Sequence, residues 1–224
     1  FYRKHEMDVH YVGHPLLDAI AERKNSDDFI SKAGLDSRPI VALLPGSRKQ
    51  EITKMLGVMS QMAGEFEQYQ FVIAGAPSQE LSFYESLIGN QVKIVQGMTY
   101  ELLENAEAAL VTSGTATLET GLFAVPQVVC YKGSWMSYQI AKRVIKVNYI
   151  SLVNLIMDKE VVKELIQGEF NPVELKKELT NILVGGSKRD QIIEDYRQMH
   201  QVLGGGGASA KTAELMLDCL EKHP

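Results

Sequence analysis

Residues 40–52, IVALLPGSRKQEI, decide the fold. The apolar run from Ile40 to Leu44 ends at Pro45 and Gly46, which predicts a short strand buried on both faces. From Glu51 to about Gln68 the apolar residues recur at helical spacing, which predicts an amphipathic helix. A strand joined to a helix by a short loop is half of a βα unit, the building block of parallel sheets.

The same alternation of short apolar runs and amphipathic stretches continues along the chain. Further strands are predicted at residues 71–74, 92–95, 108–111 and 127–131. Helices are predicted at residues 80–88, 99–105, 113–123 and 138–146, followed by a brief extended piece at 149–151. Past residue 158 the pattern predicts four helices without intervening strands, at 160–167, 172–184, 187–203 and 208–222. The fold class is therefore α/β, a Rossmann-like parallel sheet flanked by helices, with a helical C-terminal tail.

The chain divides into three segments on these patterns. Residues 1–20 are expected to be an interdomain lead-in, residues 21–200 the Rossmann-like domain, and residues 201–224 the helical tail. Four glycines, Gly204 to Gly207, interrupt the last two helices. The first residues show neither an initiator Met nor a signal-peptide layout, from which we expect an excised domain rather than a processed terminus.

Composition excludes several classes of protein. Hydrophobic residues make up 45% and charged residues 23% of the 224 positions, which is typical of globular domains. A net charge of -5 gives no broad basic face for nucleic acid, so an anionic ligand has to be held by a few placed groups. No apolar run approaches the roughly 20 residues of a membrane span. Cys130 and Cys219 have no metal-ligand spacing, and we expect both to be buried thiols in a reducing cytosol.

Ligands of open parallel sheets bind beyond the carboxyl ends of the strands, so the loops there carry the candidate site. In the loop after Leu44, Gly46 permits a sharp turn, and the planar guanidinium of Arg48 can grip a phosphate. The alternative is a capping box formed by Ser47 and Gln50, with Arg48 in solvent. Ser47 itself is open to either interpretation. The loop is not a Walker loop.

A second loop, TSGTATLE at residues 112–119, opens a helix with small residues. The backbone N–H groups from Ser113 to Ala116 can face an anion there, and the helix dipole favours negative charge. Glu119 lies on the same helix face as Thr115, near the expected ribose of a bound nucleotide. The alternative is a capped core helix with a solvated Glu119.

Other positions give weaker signals. The backbone of Gly97 and Met98 could pair with a flat base, although Thr99 as a helix cap explains that segment almost as well. His14 stands between a predicted strand end and a helix that starts at Pro15, and it is either structural or part of the site. Asn154 lies in an irregular apolar segment, where its partners are either backbone groups or substrate.

Four segments together resemble the lipid-A-disaccharide synthases, which are inverting glycosyltransferases of the GT-B fold. The matching segments are YVGHPLLDAI at 11–20, VALLPGSRKQEI at 41–52, VTSGTATLETGLFAVPQVVCYK at 111–132 and YISLVNLIMDKEVVKELIQ at 149–167. The similarity covers residues 11 to about 200 and is to the carboxy-terminal, UDP-binding domain of the family.

The resemblance implies an activity and a set of site residues. The family transfers 2,3-diacylglucosamine from UDP to 2,3-diacylglucosamine 1-phosphate and forms the lipid A disaccharide without cofactor or metal. Its carboxylate base lies in an amino-terminal domain that this sequence lacks. Arg48 and Asn154 are implied as catalytic, although Val153 stands where the family's S-L-P-N-L segment has Pro. Possible further contacts are His14 and Glu51. The implied UDP contacts are Gly46, Ser47, Arg48, Ser113, Gly114, Thr115 and Ala116 at the diphosphate, Glu119 at the ribose, and Gly97 and Met98 at the uracil.

The resemblance also implies partners. They are the two lipid-linked substrates, the amino-terminal acceptor domain and, from the lipid nature of the substrates, the cytoplasmic face of the inner membrane in a peripheral contact. Apart from the resemblance, the helical tail from residue 158 onward could cross to another subunit in a homodimer, and the net charge predicts no nucleic-acid partner. The alternatives are a UDP-N-acetylglucosamine 2-epimerase-like or other UDP-sugar transferase domain, and a non-catalytic nucleotide-binding module.

Overall fold

The computed structural model describes residues 2–23, 28–88, 92–133 and 148–222. The chain forms two compact units, Asn25–Met199 and a smaller one made of Phe1–Lys24 with His200–Pro224. The larger unit contains the whole sheet.

Six parallel strands form one sheet in the spatial order β3-β2-β1-β4-β5-β6. Their bounds are β1 Ile40–Leu44, β2 Gln70–Gly75, β3 Lys93–Gln96, β4 Ala106–Thr112, β5 Gln127–Tyr131 and β6 Glu164–Ile166. The order reverses direction between β1 and β4, so a crevice opens at this switch point beyond the carboxyl ends of the two strands. The five predicted strands and the Rossmann-like architecture are confirmed.

The α-helices of the described residues belong to both units. They are α1 Pro15–Ala21, α2 Phe29–Lys32, α3 Lys49–Met59, α4 Met62–Glu65, α5 Leu81–Glu85, α6 Thr99–Glu104, α7 Thr115–Leu122, α8 Leu152–Met157, α9 Pro172–Ile182, α10 Arg189–Leu203 and α11 Ala208–Lys222. Short 3-10 turns lie at Tyr2–His5 and Gln167–Glu169. The glycine interruption between the last two helices is confirmed.

The central strand shows how the core is built. All five residues of β1 are buried, as expected of a strand covered on both faces. Ile40, Ala42 and Leu44 join one apolar cluster with Leu102 and Leu103 of α6. Because both faces of β1 are covered, a ligand can reach this strand only at its ends.

The prediction of only helices beyond residue 158 was wrong. Residues 164–166 form β6, which pairs in parallel with β5 through Val129 and Glu164. Val161, Val162, Leu165 and Ile166 do have helical spacing, but the free edge of β5 supplies a pairing partner that local spacing does not reveal.

Three smaller differences concern helix bounds and extended pieces. The helix predicted at 51–68 is two helices, because Ala63 and Gly64 donate backbone hydrogen bonds three residues back and tighten the chain after α3. The extended piece at 149–151 joins no sheet, although the backbone of Ser151 is extended, and α8 follows it. The residues before His14 form no regular strand. The helix predicted at 138–146 lies outside the described residues.

The smaller unit is held together by its own hydrogen bonds. The carboxylate of Asp18 accepts from the backbone N–H groups of Ser209, at 2.9 Å, and Gly207. These bonds, that from Ser209 first, hold the pKa of Asp18 below its usual value. Tyr11 Oη donates to the Leu203 carbonyl at 2.9 Å. Because of these contacts, segments from opposite ends of the sequence form one unit.

The two cysteines differ in burial. Cys130 is buried as predicted, and burial raises the pKa of its thiol. The same prediction was wrong for Cys219, which is exposed on α11.

Within the described ranges, no helix combines the length and the apolarity needed to cross a bilayer.

Candidate functional site

A cavity of about 490 Å³ lies at the carboxyl ends of β1, β2 and β4, where the strand order reverses. This is the position at which open parallel sheets bind ligands, and its volume suits a nucleotide-sized molecule. The lining residues are Leu44, Gly46, Ser47, Arg48, Glu51, Ala74, Gly75, Ala76, Pro77, Thr99, Thr112, Ser113, Gly114, Thr115, Ala116 and Glu119. The first and second predicted loops therefore meet at one cavity.

In the β1–α3 loop, Arg48 is the N-cap of α3 and its side chain is 83% exposed. Arg48 Nη1 lies 3.2 Å from Glu51 Oε1, while Glu51 Oε2 accepts the backbone N–H of Arg48 at 3.4 Å. Glu51 thus supplies the return bond of the cap, and the proposed pairing of Ser47 with Gln50 was wrong. Gln79 Nε2 holds the Ser47 carbonyl at 3.1 Å.

Replacing Gly46 with alanine should damage this loop. Gly46 has φ +104°, and an added Cβ would stand 2.8 Å from Glu51 Oε2. The left-handed backbone and the clash together should lower the free energy of unfolding by roughly 1–3 kcal/mol. Because Glu51 must shift, Arg48 should also lose its position, and nucleotide affinity should fall. Urea unfolding and calorimetric titration with UDP measure the two effects.

Gly57→Ala is the matched control for that substitution. Gly57 is exposed inside α3, and a Cβ there meets nothing within 4 Å. Alanine at this helical position should raise stability by about 0.5–1 kcal/mol and leave UDP affinity unchanged. Equal changes in stability and in UDP affinity in the two variants would show that the geometry of Gly46 does not shape the cavity.

The amino terminus of α7 offers anion-binding groups. Gly114, Thr115 and Ala116 donate their backbone N–H groups to no acceptor among the described residues, as is usual for a first helical turn. Ser113 is different, since its N–H donates to the Cys130 carbonyl at 3.2 Å and its hydroxyl to the Ile150 carbonyl at 2.8 Å. The loop therefore presents backbone donors from Gly114 onward, and Ser113 fixes the loop.

Glu119 lines the cavity one turn into α7. Its Oε1 accepts a hydrogen bond from Tyr100 Oη at 2.9 Å. The alternative of a solvated Glu119 on a core helix does not describe this half-buried, hydrogen-bonded carboxylate.

Asn154 is not among the residues that line the cavity. Its side chain is fully buried, and its Nδ2 donates to the Val162 carbonyl and to Glu164 Oε1, both at 2.9 Å. Its Oδ1 accepts the backbone N–H groups of Val161 and Val162 at 2.8 and 2.9 Å. All four bonds join α8 to the approach of β6, so the partners here are backbone and scaffold, not substrate.

Glu164 completes this buried network. Besides Asn154, its carboxylate accepts the backbone N–H groups of Ile150 and Ser151 at 2.9–3.2 Å. Ile150 is also the residue whose carbonyl holds Ser113. The network therefore connects β6 to the loop that precedes α7.

The other predicted residues lie elsewhere. Gly97 and Met98 immediately precede Thr99, which lines the cavity, while Met98 packs against the core. His14 belongs to the smaller unit, where its Nδ1 caps α1 by accepting the Leu16 N–H at 3.2 Å. No group of three or more metal-ligating side chains occurs within residues 2–23, 28–88, 92–133 and 148–222.

Sequence reasoning missed two parts of the cavity wall. Gly75 ends β2, and Ala76 and Pro77 follow it, so the strand-end rule would have found them. Thr112, the last residue of β4, is 6% exposed, and its hydroxyl has no partner within the described part of the chain. Only the structure shows that this side chain borders the cavity.

Comparisons with known proteins agree with this architecture. The family model described as lipid-A-disaccharide synthetase matches residues 1–217. The lipid-A-disaccharide synthase of Syntrophus aciditrophicus is 37% identical over 99% of this chain and 60% of its own length. That of Myxococcus xanthus is 33% identical over 98% of this chain and 60% of its own length. The chain thus spans about 60% of the length of these curated relatives.

Solved structures share the fold at low identity. A UDP-GlcNAc 2-epimerase from Neisseria meningitidis bound to UDP-GlcNAc aligns with 92% of this chain and 54% of its own, at TM-score 0.59 and 15% identity. The calicheamicin glycosyltransferase CalG4 aligns with 84% of this chain and 45% of its own, at TM-score 0.55 and 14% identity. These likenesses establish the GT-B type of fold, whereas the family model and the curated relatives distinguish the synthases from the epimerases. The chain belongs to the lipid-A-disaccharide synthetase family.

Proposed function

We propose that this chain is the donor-binding part of an inverting glycosyltransferase. The reaction transfers 2,3-diacylglucosamine from UDP to 2,3-diacylglucosamine 1-phosphate and forms the lipid A disaccharide. The observation that supports the proposal is the cavity at the switch point. It combines the cation of Arg48, the free N–H groups at the start of α7 and the carboxylate of Glu119. These groups match a phosphate and a ribose, the two polar parts of a nucleotide diphosphate.

Charge in the reaction explains why these groups lie together. Transfer with inversion builds negative charge on the departing UDP, which fixed donors stabilise most when they already point at the oxygens. Gly114, Thr115 and Ala116 supply backbone dipoles, and Arg48 supplies a full positive charge. A carboxylate that deprotonates the acceptor hydroxyl completes the chemistry. We place that base in an amino-terminal acceptor domain.

The remaining site assignments are part of the proposal. Gly46 and Ser47 lie beside the diphosphate, Gly97 and Met98 lie on the uracil side next to Thr99, and Glu51 holds Arg48. Membership of the family supports a UDP-sugar donor and a sugar acceptor. Because both substrates carry acyl chains, we further propose peripheral contact with the cytoplasmic face of the inner membrane. Association of two copies is a separate part of the proposal.

Calorimetric titration of the chain with UDP, UMP and ADP tests the donor site. UDP should bind saturably, and UMP and ADP more weakly by about tenfold or more, because each lacks a phosphate or the matching base. Glu119→Ala should abolish most of the UDP binding. Running the titrations with and without a chelator shows whether a divalent ion contributes. Absence of UDP binding up to millimolar concentration would contradict a self-contained donor site.

A further inference from the structure

The hydroxyl of Tyr100 is bonded to the cavity carboxylate. Tyr100 is the second residue of α6, and its Oη donates to Glu119 Oε1 at 2.9 Å. The described part of the chain supplies no hydrogen-bond donor to the second oxygen, Oε2. One oxygen of Glu119 is therefore held by the protein and the other is left for a ligand.

The ring of Tyr100 is itself held in place. It packs on Phe123 with ring centroids 5.3 Å apart and planes inclined by 45°. Phe123 follows Glu119 by four residues and so lies above it on the same side of α7. Phe123 also packs against the apolar cluster that contains Ile40, Ala42 and Leu44 of β1. The core thus fixes Phe123, Phe123 fixes the phenol ring, and the phenol fixes Glu119.

We propose that Tyr100 is a positioning residue that prepares Glu119 to bind the two vicinal hydroxyls of a ribose. This inference rests on the proposed UDP site. A glutamate side chain has three rotatable bonds, and ordering it during binding costs free energy that a prior hydrogen bond removes. The hydrogen bond at Oε1 sets the rotamer of Glu119, so that Oε2 accepts from the ribose hydroxyls. Tyr100 contributes to affinity through Glu119 and touches no ligand atom.

A comparison of two nucleotides in the Tyr100→Phe variant tests this role. UDP and 2′,3′-dideoxy-UDP differ only in the ribose hydroxyls. The unaltered chain should prefer UDP by about tenfold or more, since a hydrogen bond to a charged group contributes about 1.5–3 kcal/mol. In Tyr100→Phe the preference should fall to about threefold or less, with the affinity for the dideoxy nucleotide unchanged. Phenylalanine retains the contact with Phe123, so folding should be preserved.

Tyr69→Phe is the matched control. Tyr69 is likewise a partly buried tyrosine close to a glutamate, Glu107, but it lies at the amino-terminal edge of the sheet, away from the cavity lining. Removing its hydroxyl should leave both nucleotide affinities and their ratio unchanged.

Two results would overturn the role of Tyr100. One is an unchanged preference for UDP in Tyr100→Phe. The other is equal weakening of both nucleotides, which would indicate a general structural effect. Failure of the unaltered chain to bind UDP contradicts the proposed function and this inference together, whereas normal binding with an unchanged preference contradicts this inference alone.

Discussion

Replacement of Arg48 by alanine, in a full-length enzyme that carries this sequence, should lower turnover about 100-fold or more. Arg48 follows β1 as the N-cap of α3 and lines the same cavity as the residues that begin α7. As the sugar departs, charge accumulates on the diphosphate, and loss of a placed donor removes stabilisation that exists mainly in the transition state. KM for the donor should therefore change less than kcat.

The present partner of Arg48 does not prevent this role. Its contact with Glu51 joins an 83% exposed side chain to a partly exposed one. Exposed ion pairs contribute about 0–1 kcal/mol, so a doubly charged phosphate group can displace the carboxylate. Arg48→Lys keeps the charge but loses the planar two-point grip, and its turnover should lie between those of the alanine variant and the unaltered enzyme.

Arg197→Ala provides the control. Arg197 is also an exposed arginine paired with a glutamate on its own helix, Glu194, at 2.9 Å. Its removal should leave turnover unchanged. Near-normal turnover of Arg48→Ala, or an equal loss in Arg197→Ala, would refute the leaving-group role of Arg48.

The local parts of the fold and of the site could be predicted from the sequence. The strands β1 and β4 are short apolar runs, and the rule that ligands bind beyond strand ends predicts that Arg48 and the 113–116 loop lie at one site. The fold class followed from the same runs. These inferences succeed because each depends on neighbours within about ten residues along the chain.

The features of the fold and of the site that the sequence did not predict depend on residues far away along the chain. Helical spacing at 160–167 could not reveal β6, because the free edge of β5 lies about 35 positions earlier and its pairing decides the outcome. Likewise, Ser113 could be read as a phosphate ligand, but its hydroxyl is bonded to Ile150, which is 37 positions away. The sequence identifies the chemical type of a polar side chain near a ligand site. Only the fold shows which group that side chain is hydrogen-bonded to.

Asn154 is the sharpest case of this difference, and Asn154→Ala should lower the free energy of unfolding by about 3 kcal/mol or more. The substitution strands the N–H group of Val162, removes a donor from the buried carboxylate of Glu164, and leaves the Val161 N–H with only the Lys159 carbonyl, at 3.0 Å. Each buried polar group left without a partner costs about 1–3 kcal/mol. Urea unfolding, followed by circular dichroism, measures the loss from the shift in midpoint at constant slope.

The control for Asn154 is Asn105→Ala, which removes an exposed amide with a single bond to the Glu101 carbonyl at 2.9 Å. That change should alter stability by about 0.5 kcal/mol or less. UDP affinity distinguishes a scaffold role of Asn154 from a substrate contact. If Asn154 is a scaffold residue, its replacement leaves the UDP affinity nearly unchanged at a temperature where the variant is folded. Unchanged stability of Asn154→Ala together with lost turnover in the full-length enzyme would instead establish a direct contact with substrate. The four saturated bonds lead us to expect the opposite, since an amide with no spare donor or acceptor has nothing left to offer a ligand.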